Sequence, residues 1–84
     1  MKEVIVYKTK FCPYCVAAVQ FLSSKGISFK EVSLESDPDL RVKLSQENGG
    51  WRTVPMIFAG DHFIGGYTEL VSAHKSGNLE KLLS

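Results

Sequence analysis

Val4-Ile5-Val6-Tyr7 is an unbroken apolar, β-branched run, the pattern of a short strand buried on both faces. After Cys12-Pro13 the period changes. Cys15, Val19 and Leu22 recur at helical spacing with Ala18 beside them, and Lys25-Gly26 supplies a basic last turn and a stop. Pro suits a helix start, because the N–H it lacks would have no intrahelical partner there. A second strand is expected over 29–34, although its alternation slips at Lys30-Glu31. Ser36-Asp37-Pro38-Asp39 then opens a helix, with a capping side chain, Pro in the first turn and acid near the positive end of the dipole. Leu40 and Leu44 give that helix its apolar stripe, and Asn48-Gly49-Gly50 ends it.

Met56-Ile57-Phe58-Ala59 and His62-Phe63-Ile64 flank Gly60-Asp61, which predicts a hairpin with a two-residue turn. Gly65-Gly66 breaks the chain, and Thr68 is the expected N-cap of a helix through Leu70, Val71 and His74. Ser76-Gly77-Asn78 sets off a last helical piece carrying Leu79, Leu82 and Leu83. The order is strand–helix–strand, helix, hairpin, helix. The first unit predicts a right-handed parallel crossover, and the hairpin adds antiparallel strands, so an α/β fold with a mixed sheet follows. Phe21, Phe29, Phe58 and Phe63 fall at core positions, while His62 and His74 have no visible partners.

Eighty-four residues predict one domain spanning 1–84, with no internal repeat or linker. A chain this short has little core to spare for an internal pocket, so any site is expected in a surface groove. Hydrophobic residues make up 44% and charged residues 23%, which excludes a disordered tail. A formal charge of +1, without runs of either sign, argues against a basic nucleic-acid domain. No apolar stretch approaches the roughly 18 residues that span a membrane, and no signal-like leader precedes Val4. A cytoplasmic monomer is expected, with no membrane or nucleic-acid partner.

Cys12 and Cys15 are the only cysteines. A disulfide across so short a loop constrains the unfolded chain little, so these thiols point to redox chemistry or metal binding instead. A tetrahedral zinc site needs a second ligand pair, and His62 and His74, twelve apart, do not provide one. The pair sits after a buried strand at the mouth of a helix, where unpaired N–H groups and the macrodipole stabilise an anion such as a thiolate. Cysteines so placed ionise below the value of a free thiol. Cys12 is expected to be the exposed nucleophile, helped by Lys8 and Lys10, and Cys15 the more buried resolving thiol.

With these residues in view, the chain resembles the glutaredoxins, specifically the dithiol class. The likeness rests on Cys12-Pro13-Tyr14-Cys15, on Thr53-Val54-Pro55 before a hairpin and on Gly65-Gly66 before a helix, in that order. It implies a thioredoxin-like fold, a four-stranded mixed sheet flanked by helices. It implies a cis Val54–Pro55 bond, with the Val54 backbone beside Cys12. It also implies that glutathione binds along Tyr14, Thr53, Val54, Pro55, Gly66, Tyr67 and Thr68, with backbone N–H groups of the last three facing its γ-glutamyl carboxylate. Relatives often carry a basic residue three before the nucleophile for the glycyl carboxylate. Here that position is Thr9, so Lys10 or Arg41 is expected to substitute.

The activity implied is glutathione-dependent reduction of protein–glutathione mixed disulfides and of protein disulfides, an electron-transport role in cell redox homeostasis. The expected partners are glutathione and disulfide-bearing proteins, with no tightly bound cofactor and no metal. The alternative is a glutathione-ligated iron–sulfur cluster carrier. Cluster-binding members of the family typically have Gly for the Pro of this motif, or lack the second cysteine, so Pro13 favours the enzyme.

Overall fold

The computed structural model describes residues 2–84, and the pattern resolves into eight elements. They are β1 (Val4–Lys8), α1 (Pro13–Ser24), β2 (Phe29–Ser33), α2 (Pro38–Glu47), β3 (Met56–Ala59), β4 (His62–Gly65), α3 (Tyr67–Ser76) and α4 (Asn78–Leu83). The sheet order is β2-β1-β3-β4. β1 lies parallel to β2, with Val4 opposite Phe29, and antiparallel to β3, with Val4 opposite Ala59. β3 and β4 form the hairpin, whose register slips between Ile57 and Phe58. The sheet is mixed, as the order of elements predicts.

Strand alternation explains why β3 and the Val4–Tyr7 stretch of β1 are apolar throughout. Val4, Val6, Ile57 and Ala59 face one side and pack against Ala18 and Leu22 of α1, Leu70 of α3 and Leu79 of α4. Ile5, Tyr7, Met56 and Phe58 face the other, against Leu34, Leu40 and Leu44 at α2. Both faces are covered, so neither strand can show polar residues on a wet side. β2 is an edge strand, and its Lys30 and Glu31 are exposed. Phe58 is buried, while Phe21, Phe29 and Phe63 are partly buried against the two cores.

The helix ends follow local chemistry. α1 stops at Gly26, whose φ of +68° suits glycine, and the Ile27 N–H donates back to the Leu22 carbonyl at 3.0 Å. α2 is capped by Asp37, whose Oδ1 accepts from the Leu40 N–H at 3.1 Å, with Pro38 next in line. Two expectations are corrected. β2 ends at Ser33, and Leu34 turns inward, its N–H donating to the Lys8 carbonyl at 2.8 Å. Thr68 is not the cap of α3: the helix begins at Tyr67, and Gly66 holds the cap position. Gly65, at φ +125°, turns the chain earlier than Thr68 would, and Glu69 Oε1 reaches back to accept the Gly66 N–H at 2.8 Å. No helix among the described residues is long and apolar enough to cross a membrane.

Candidate active site at the start of the first helix

β1 delivers the chain through Thr9, Lys10 and Phe11 to Cys12, which occupies the N-cap of α1 with extended backbone. Its Sγ accepts the Cys15 N–H at 3.1 Å, the part a Ser or Asp oxygen usually takes. The sulfur therefore lies where the helix leaves its first donors unpaired and its dipole is positive. The Cα atoms of Cys12 and Cys15 are 5.2 Å apart, and the two sulfurs form a disulfide. The expected exposure of Cys12 is corrected. It is only 8% exposed, against 2% for Cys15, because capping and the bond to Cys15 both draw its sulfur inward.

Across from the disulfide, the Val54 carbonyl oxygen stands 3.6 Å from Cys12 Sγ. The Val54–Pro55 bond is cis. Two motifs 42 residues apart in sequence thus meet at one sulfur. A groove of about 190 Å³ runs from there between Tyr14, Thr53, Val54, Pro55, Gly66, Tyr67 and Thr68, with Trp51 and Glu69 completing its walls. The Tyr14 and Tyr67 rings lie 6.3 Å apart across it. The start of α3 opens onto this groove, and one of its amides, that of Gly66, is already held by Glu69.

The two basic candidates lie elsewhere. Lys10 lines a second groove of about 290 Å³ with Lys8, Val16 and both cysteines. Its backbone N–H donates to Glu35 Oε1 at 2.6 Å, which ties the loop to the β2–α2 connection. Arg41 lines a third groove of about 390 Å³ with Trp51 and Arg52, and its Nη2 donates to the Arg52 carbonyl at 3.2 Å. Trp51 is the wall shared with the first groove, and its buried Nε1 has no partner among the described residues. Lys8 adds less positive field than its sequence position promises, because Glu31 Oε1 sits 2.7 Å from its Nζ.

Trp51 and Glu69 also border these surfaces, and Phe11 stands exposed next to Cys12. Glu69 was signalled by its spacing, three residues after Gly66. Phe11 carried no signal beyond its place next to Cys12. A larger groove, about 670 Å³, lies away from the disulfide between Lys25, Ile27, His74 and Leu83 and contains neither sulfur. Among the described residues no group of three or more His, Cys, Asp or Glu side chains converges.

Comparison with known proteins agrees with this geometry. The family model described as Glutaredoxin matches residues 4–64. A glutaredoxin of Pseudomonas aeruginosa is 39% identical over 84 residues, covering all of this chain and 99% of its own length. Among solved structures, a buckwheat glutaredoxin–glutathione complex superposes with a TM-score of 0.87 at 30% identity, over 98% of this chain and 76% of that one. A glutaredoxin from Brucella melitensis gives 0.84 at 36% identity, over 99% and 89%.

Proposed function

The chain belongs to the glutaredoxin family, whose members are thiol–disulfide oxidoreductases, and from that membership we propose that it reduces protein–glutathione mixed disulfides and protein disulfides with glutathione as reductant. The observation that carries this reading is the Cys12 sulfur, capping α1 and facing the Val54 carbonyl beside the groove lined by Tyr14, Val54 and Thr68. The buckwheat relative, solved with glutathione, supports glutathione as occupant of the corresponding groove.

In the reduced enzyme the Cys12 thiolate attacks the glutathione sulfur of a mixed disulfide. A Cys12–glutathione disulfide forms, the protein–glutathione bond breaks, and the protein leaves as a thiolate that takes a proton from water. A second glutathione thiolate then attacks the adduct, releasing oxidised glutathione and returning the Cys12 thiolate. With a protein disulfide, Cys12 first bonds to one protein sulfur, and the other leaves as a thiolate that takes a proton from water. Cys15 then attacks Cys12, the protein thiolate leaves, and two glutathiones reduce the Cys12–Cys15 bond. An acidic Cys12 thiol is a good leaving group in each return step, which is the catalytic use of the helix terminus.

The backbone of Val54 is proposed to pair with the cysteinyl part of glutathione, and the start of α3 to hold its γ-glutamyl carboxylate. Tyr67 and Thr68 are the amides for that role, since Glu69 already holds the amide of Gly66. Pro13 in the first turn of α1 supports the enzyme over a cluster carrier. The proposed setting is a reducing cytoplasm, where a short-loop cysteine pair is kept available for catalysis.

The test separates the two sulfurs. Cys12→Ser is expected to lose all activity, because an alcohol is not ionised at neutral pH. Cys15→Ser is expected to keep deglutathionylation and lose reduction of protein disulfides. Equal loss of both activities in the Cys15 variant would defeat the mechanism. So would turnover driven by thioredoxin reductase and not by glutathione.

A further inference from the structure

The three residues that carry β1 into Cys12 have little packing of their own. Phe11 is 89% exposed, Lys10 is exposed and Thr9 is half-buried, so no apolar side chain pins this loop to a core. Among the described residues one side-chain hydrogen bond reaches it: the Lys10 N–H donates to Glu35 Oε1 at 2.6 Å. A carboxylate acceptor makes such a bond shorter and stronger than a neutral one does. Glu35 itself stands on a firm base. Leu34 beside it is buried in the smaller core, and its N–H donates to the Lys8 carbonyl at 2.8 Å. The Glu35 N–H donates to Ser33 Oγ at 3.3 Å, and the Asp37 N–H donates to the Leu34 carbonyl at 3.3 Å. The β2–α2 connection therefore holds the departing chain twice, at the Lys8 carbonyl and at the Lys10 N–H, with Thr9 between.

We propose that Glu35 is a positioning residue for the reaction: its carboxylate fixes the loop through the Lys10 amide and so sets where the Cys12 sulfur stands against Val54. This rests on the glutathione-dependent reading above. Cys12 lies two residues beyond Lys10, and its sulfur keeps both the Cys15 N–H at 3.1 Å and a place 3.6 Å from the Val54 carbonyl. In the reduced enzyme the bond to Cys15 is open, so the sulfur has one tether fewer and the hold on the loop matters more. A displaced nucleophile reacts more slowly even where its substrate still binds. Glu35 lines neither groove beside the sulfurs, so it acts through the backbone and not by touching substrate.

The test separates the bond from the charge. Glu35→Ala removes the acceptor, whereas Glu35→Gln keeps an acceptor oxygen and loses the charge. On a glutathionylated peptide Glu35→Ala should lower kcat about fivefold and move KM by less than about twofold. Glu35→Gln should recover about half of the wild-type kcat or more. In the reduced protein, exchange of the Lys10 amide with deuterated solvent should quicken about tenfold in Glu35→Ala and stay close to wild type in Glu35→Gln. A wild-type kcat in Glu35→Ala, a Glu35→Gln variant as slow as Glu35→Ala, or a Lys10 amide indifferent to both changes would overturn the proposal. Failure of the wild type to turn over any glutathionylated peptide would instead bring down the glutathione reading, and this role with it.

Discussion

At Cys12 one sulfur both caps a helix and is proposed to attack a disulfide. The two roles respond differently to substitution. Serine is among the best N-cap residues, so Cys12→Ser should unfold at a temperature close to that of the reduced wild type while being inactive. Cys12→Ala removes the acceptor of the Cys15 N–H and should cost about 1 kcal/mol, a fall of roughly 4–8 °C in Tm for a domain of this size. Calorimetry of the two variants beside the reduced wild type checks this. In the reduced protein the same helix-terminal N–H groups should favour an ionised Cys12 sulfur over a neutral one. Alkylation of the reduced protein should therefore stay fast as pH falls through the range where a free cysteine protonates. A rate that drops with the free-thiol midpoint would exclude the effect.

The entry to α3 shows what an element asks of its first residues. A Cβ on Gly65 would meet Glu69 Cγ at 2.8 Å and Cβ at 2.9 Å, on a backbone at φ +125° that L side chains rarely adopt. The side chain displaced is the one that holds the Gly66 N–H. Gly65→Ala should therefore destabilise the fold by about 1–3 kcal/mol, the usual range for backbone strain of this kind. Because the turn borders the groove, KM for glutathione should rise as well. Denaturant melts and steady-state kinetics on the same sample would show the two losses together. The sequence points to Thr68 as the cap because a hydroxyl residue is the visible signal. A glycine cap shows no side chain to read, and Glu69 alone betrays it.

The whole molecule is two half-cores on one sheet. Leu70 is fully buried in the larger one, among α1, α3 and β1, and Leu70→Ala should cost about 2–5 kcal/mol in a chemical melt. Leu44, 8% exposed in the smaller core under α2, should cost less, because its cavity opens towards solvent. An equal loss at both sites would contradict the partition. The strands, the helices and their order were legible because period and turn residues are local signals. That Tyr14, Val54 and Thr68 line one groove near Cys12 and Cys15 could be anticipated because motifs carried them. The burial of Cys12, the pairing of Lys8 with Glu31 and the placing of Arg41 beside Arg52 could not. The first follows from a cap and a bond that a cysteine does not announce, and the other two depend on partners brought in by the sheet or by a loop.

The Cys15 amide makes the helix its own indicator of oxidation state. Its hydrogen lies against the Cys12 sulfur, an acceptor that is charged as a thiolate and neutral in a disulfide. A thiolate grips that proton more strongly than a neutral disulfide sulfur does. The resonance of the Cys15 amide should therefore shift between the reduced and the oxidised protein, a readout that needs no dye or coupled enzyme.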